Sequence, residues 1–139
     1  MNDCTVERII FSADEIGRRV GELAARLAAD YPPGELATVA VLKGSFVFVA
    51  DLARQLDLPL IIVARLGLGT LNHTLLTVRQ AQAMKLKVAG VLLNDTTGQR
   101  GLAERTNIKV IAELSGVPLL GVVPYGRARG VRQICDRLW

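Results

Sequence analysis

Short apolar runs of strand length alternate along this chain with segments whose apolar residues recur at helical spacing. Five runs stand out, at residues 8–11, 38–42, 60–64, 88–93 and 119–123. After the first, Ser12-Ala13-Asp14-Glu15 has the form of a capping box, and Ile16, Val20, Leu23 and Leu27 then share one helical stripe. That helix is expected to run to about Asp30, before Pro32-Pro33-Gly34. A second helix is expected from near Ser45, with Val49, Leu52, Ala53 and Leu56 on one face, until Pro59 returns the chain to an extended path. A third follows Gly69-Thr70 and turns Leu71, Leu75 and Val78 inward. Asn107 reads as the N-cap of a short fourth helix ending at Gly116, and Val131, Ile134, Cys135 and Leu138 form the stripe of a last one.

The alternation predicts an α/β fold: a single-domain, open, mainly parallel five-stranded sheet with helices on both faces, Rossmann-like and doubly wound. The length, 139 residues, suits one domain. Ligands of such sheets bind beyond the carboxyl ends of the strands, where loops lead into helix N-termini with free N–H groups. The segments 43–45, 65–72, 94–101 and 124–127 are therefore placed on one edge.

Half of the residues are hydrophobic, enough for a packed core and too many for a disordered chain. The longest charge-free stretches, 66–78 and 114–126, are broken by Gly or Pro and fall short of the roughly 18–20 residues that span a bilayer. Asp3 and Glu7 do not suit a secretion signal, so a soluble, cytoplasmic protein without a membrane partner is expected. Seventeen basic against thirteen acidic residues give a net charge of +4, but the basic residues are dispersed and aromatics make up only 4%. That pattern does not predict a nucleic-acid partner. Cys4 and Cys135 have neither a CxxC spacing nor a neighbouring His, so reduced thiols are expected, with no metal and no resident cofactor.

Leu42-Lys43-Gly44-Ser45 follows a strand-like run and opens a helix. Its amides and the Lys43 charge suit a phosphate or pyrophosphate; equally, Gly44 suits a tight turn and Ser45 a helix cap. His73, the only histidine, reads as a packed or solvated side chain rather than a proton carrier. Asp51 and Asp95 have no acidic partner nearby in sequence to make a two-carboxylate site.

Two family resemblances follow. Val6-Glu7-Arg8-Ile9-Ile10-Phe11 and the stretch from Val39 through Leu42-Lys43-Gly44-Ser45-Phe46 to Asp51-Leu52 resemble the N-terminal part of hypoxanthine-guanine phosphoribosyltransferases, over roughly residues 5–58. The resemblance implies a pyrophosphate turn at Lys43, Gly44 and Ser45. The paired acids and the Asp-Thr-Gly loop of that family have no match here, the nearest segment being Leu92-Leu93-Asn94-Asp95-Thr96-Thr97-Gly98.

From about residue 60 to 128 the sequence resembles the C-terminal half of dethiobiotin synthetases. The match is carried by Gly67-Leu68-Gly69-Thr70-Leu71-Asn72-His73, by Val88-Ala89-Gly90-Val91-Leu92-Leu93-Asn94, and by Gly116-Val117-Pro118-Leu119-Leu120-Gly121-Val122-Val123-Pro124-Tyr125. It implies that Gly69, Thr70, Leu71 and Asn72 receive the carboxylate of diaminopelargonate across a homodimer interface running from Gly67 to Thr77. It also implies that Asn94 and Asp95, with Pro124, Tyr125 and Gly126, lie at the adenine of ATP. No G-x-x-x-x-G-K-[ST] occurs in the sequence to hold a triphosphate. Two half-matches meeting at residues 58–60 lead to the expectation of an engineered chimeric scaffold with no complete active site and no catalysis. The alternative is a weak phosphate- or nucleotide-binding module built on the same crest.

Overall fold

The computed structural model describes residues 8–32, 34, 36, 38, 39 and 46–126. It divides into two compact units, Met1–Leu58 and Pro59–Trp139.

The first unit holds α1 (Ala13–Asp30) and α2 (Phe46–Gln55). The capping box forms as the sequence predicts: Ser12 Oγ accepts from the Glu15 amide at 3.2 Å, and the Glu15 carboxylate accepts from the Ser12 amide at 2.8 Å. The Ser12 amide, then the Ser12 hydroxyl, hold the Glu15 carboxyl below its ordinary value. Val20 and Ala24 of α1 bury against Leu52 of α2, with Leu27 and Leu56 at the margin. Ile16 and Leu23, expected on the same buried stripe, stay 52% and 37% exposed. A helix of ten residues is about half as long as one of eighteen and covers only part of it.

The expected first strand, 8–11, does not form: Ile9, Ile10 and Phe11 lie exposed, and no strand among the described residues pairs with them. Of the expected strand 38–42, Thr38 and Val39 are not extended into a sheet, and the rest lies outside the described residues, as does the expected last helix. Among the described residues the sheet therefore has three strands, not five.

That sheet forms the second unit, in the order β1 (Leu60–Arg65), α3 (Thr70–Ala83), β2 (Val88–Asn94), α4 (Leu102–Leu114) and β3 (Leu119–Val123). All pairing is parallel, with β2 in the centre. Leu66, Val78, Val91, Leu93 and Ile111 make the buried core, against which Ile62, Ala64, Leu71, Ile108 and Leu119 pack. Both helices thus cover the same face, as successive right-handed crossovers in one direction require. Ile61 and Val63, which alternate onto the opposite face of β1, are exposed. Within the second unit the described helices lie on one face, not on both as expected.

Gly90 of β2 is required by packing: a Cβ there would lie 2.6 Å from the Pro118 carbonyl oxygen, at the entry to β3. Helices α2 and α3 end alike. Asp57 and Lys85 take left-handed conformations (φ 52° and 59°), while Leu58 and Leu86 donate back to the carbonyls of Ala53 and Ala81 at 2.9 and 3.0 Å. α4 starts at Leu102, five residues before the expected cap at Asn107, which lies buried inside the helix.

Lys85→Gly removes the side-chain cost of the left-handed conformation and is expected to stabilise the second unit by about 1 kcal/mol, measured by urea denaturation. In the same assay, Ile111→Ala is expected to cost about 2–5 kcal/mol, because the fully buried side chain leaves a cavity between helix and sheet.

Candidate functional site

The strand register sets the site. Arg65 pairs with Asn94 and Asn94 with Val123, so the three carboxyl ends finish level. Leu66 continues the ladder by donating to the Asn94 carbonyl at 2.7 Å, and Asp95 donates to that of Val123 at 2.9 Å. Of the expected crest segments 65–72, 94–101 and 124–127, the described parts 66–72, 94–101 and 124–126 follow these level strand ends.

The first segment turns into α3 through Gly69, at φ 86° and without a side-chain cap. The amide of Thr70 donates to the Gly67 carbonyl at 3.3 Å, and the His73 amide begins the helical pattern on Gly69. The amides of Leu71 and Asn72 fall within the first turn, where a helix leaves N–H groups without internal acceptors and favours negative charge. The Thr70 hydroxyl is not among the groups facing outward: it is buried and pairs with the Thr74 hydroxyl at 3.2 Å. Leu71 is half-buried against the core, while Asn72 and His73 are exposed.

Asp95 is the most constrained polar group of the crest. Its buried carboxylate accepts from the amides of Thr97 and Gly98 at 3.2 and 2.8 Å and from the Arg100 guanidinium at 2.8 Å. Arg100 first, then the Gly98 amide, hold its carboxyl below the ordinary Asp value, against the opposing effect of burial. Gly98 (φ 70°) lies so close to Tyr125 that a Cβ would meet the ring at 2.9 Å, which brings the second and third segments together. A cavity of about 280 Å³ opens beside Asp95, lined also by Leu66, Glu104, Ile108, Val122 and Pro124.

Two of these polar groups, together with Asn107, escaped the sequence reading. Arg100 pairs with Asp95, and Glu104 and Asn107 are buried on α4. Asn107 Nδ2 donates to the Gly67 carbonyl at 2.8 Å. The signal was present: positions 104, 107, 108 and 111 form one i, i+3, i+4, i+7 stripe, polar at its first two places. Lys43, Gly44 and Ser45 lie outside the described residues. Asp51 pairs with Arg54 at 3.0 Å on the surface of α2. No group of three or more potential metal ligands occurs among the described residues, and no described helix is long and apolar enough to cross a membrane.

A family model described as an AAA domain matches residues 36–129, more than half of the sequence. The chain belongs to this family. It is also 49% identical over 86 residues to the ATP-dependent dethiobiotin synthetase of Bacillus licheniformis, covering 62% of this chain and 37% of that protein. Identity to the enzyme of the same name from Bacillus subtilis is 44% over 86 residues, with the same coverage. For Thermodesulfovibrio yellowstonii it is 44% over 84 residues, covering 60% of this chain and 35% of the relative. The chain thus spans a little over a third of the length of the curated relatives it matches.

These matches correct the expectation of an engineered scaffold without catalysis. The AAA-domain match runs unbroken from residue 36 across the supposed seam at 58–60, and the relatives are natural enzymes. The resemblance to dethiobiotin synthetases over the C-terminal part stands; a splice of two parents does not.

Because the Asp95 carboxyl is held below its ordinary value, its contribution to stability is present at neutral pH and is lost as the pH falls through the folded-state pKa. Asp95→Asn is expected to flatten the fall in stability between about pH 5 and pH 2, followed by denaturant unfolding across that range.

Proposed function

We propose that this chain carries the acid-receiving and adenine-reading part of an ATP-dependent dethiobiotin synthetase. The observation that carries the proposal is the level finish of β1, β2 and β3, which sets the α3 N-terminus beside the Asn94 and Pro124 segments. The identity to enzymes of that name supports it.

In this assignment the carboxylate of diaminopelargonate meets the amides of Leu71 and Asn72 at the turn formed by Gly69 and Thr70. Backbone donors suit that task because they are already aimed and carry the positive end of the helix dipole. Asn94 reads the adenine edge, since a side-chain amide offers both a donor and an acceptor. The apolar wall of Leu66, Ile108, Val122 and Pro124 suits a flat base, and Tyr125 and Gly126 follow Pro124 in the same segment. Asp95, held by Arg100 and two amides, braces the loop. No residue of this chain is assigned to the triphosphate. A second copy is expected to pair along 67–77, where Leu68 and Leu76 are 82% and 56% exposed.

ATP is expected to raise the thermal stability of the chain more than GTP does; a nucleotide at 100 times its dissociation constant contributes about 2.7 kcal/mol. Asn94→Ala is expected to weaken ATP binding about tenfold, to the level of GTP. Equal stabilisation by the two nucleotides, or none, would overturn the assignment.

A further inference from the structure

We propose that Asn107 is a positioning residue that aims the α3 N-terminus at the acid substrate; the proposal rests on the acid-receiving role given to that turn. Asn107 is buried in the middle of α4, and its side-chain amide donates to the Gly67 carbonyl, 40 residues away in sequence. A buried side-chain amide is costly unless it is bonded, so this tertiary bond fixes where the Gly67 peptide lies relative to α4.

Gly67 opens the turn that ends in the left-handed Gly69, and the peptides that follow present the Leu71 and Asn72 amides. Those donors have no side-chain cap to orient them. Their direction is set from behind, by α4. The Glu104 carboxylate, one turn earlier on the same helix, fills the space beside Gly67 and Gly101: Oε1 would lie 3.6 Å from a Cβ at Gly67, and Oε2 2.7 Å from one at Gly101. The turn therefore rests on two polar groups of one helix face. The Thr70 amide also donates to the Gly67 carbonyl, at 3.3 Å. Loss of the Asn107 bond thus leaves the turn closed and its aim free.

Asn107→Leu keeps the branched shape of the side chain, with some added bulk, and removes the donor; Asn107→Ser serves if the leucine variant folds poorly. Diaminopelargonate and ATP are titrated separately into each chain, with the Leu71 and Asn72 amide resonances followed by NMR and amide hydrogen exchange measured across the second unit. The expected result is acid binding about five- to tenfold weaker than wild type, as loss of one hydrogen bond implies, with ATP affinity unchanged. Exchange is expected to quicken at residues 67–72 and to stay slow at Val91 and Leu93. Unchanged acid affinity in both variants would overturn the proposal, as would parallel loss of ATP binding and core protection. If wild-type Leu71 and Asn72 do not respond to diaminopelargonate, the acid-receiving role itself falls, and the positioning role with it.

Discussion

The central strand carries the rest of the second unit. β2 is hydrogen-bonded on both edges, and Val91 and Leu93 are wholly buried beneath α3 and α4. Since parallel pairing fixes register as well as direction, the burial of two alternate side chains also determines where the neighbouring strands end. The Arg65, Asn94 and Val123 positions come level for that reason, and the loops beyond them become neighbours. A slip of one residue would move Val91 and Leu93 to the other face and separate those loops. Packing and site geometry are therefore the same constraint seen from two ends.

Much of this unit could be read from the sequence. The three strands fall within a residue of the apolar runs, because Pro59 and Pro118 mark entries and the Val, Ile and Leu of those runs favour a pleated, half-buried strand. α3 begins at Thr70, as its glycine-rich turn suggests. The errors arise where a local rule met a distant partner. Ile9-Ile10-Phe11 is apolar enough for a strand, but a strand exists only by pairing. Asn107 has the chemistry of an N-cap, yet its acceptor is at Gly67 and no local pattern reveals it. In α3 the buried line is Thr70, Thr74, Val78 and Ala81, while Leu71 and Leu75 stand at its margin. Two threonines enter the interior because their hydroxyls satisfy each other.

The mistaken seam has a physical origin too. A strand, a glycine turn and a helix stripe are what any parallel α/β unit needs at that point in its chain. Val41–Leu52 shows that pattern, so likeness there reports shared geometry as much as shared descent. Gly67–His73 is different: its polar residues and glycines exceed what the turn requires, and it pointed to the enzymes that the comparison found. The chemistry of α4 was the least legible, because buried polar residues look like interruptions of a stripe until their acceptors are known.

The Asn107–Gly67 bond also bears on the order of assembly. It closes a loop of 40 residues that contains α3, β2 and the first half of α4. Such a contact becomes favourable only after the intervening elements have given up their conformational freedom, so it belongs late in folding. α3 can form early from its own sequence, but its N-terminus acquires a fixed direction only once α4 has docked. During synthesis, the helix precedes its aim: a nascent chain that has emerged only as far as β2 has the turn and no means of pointing it.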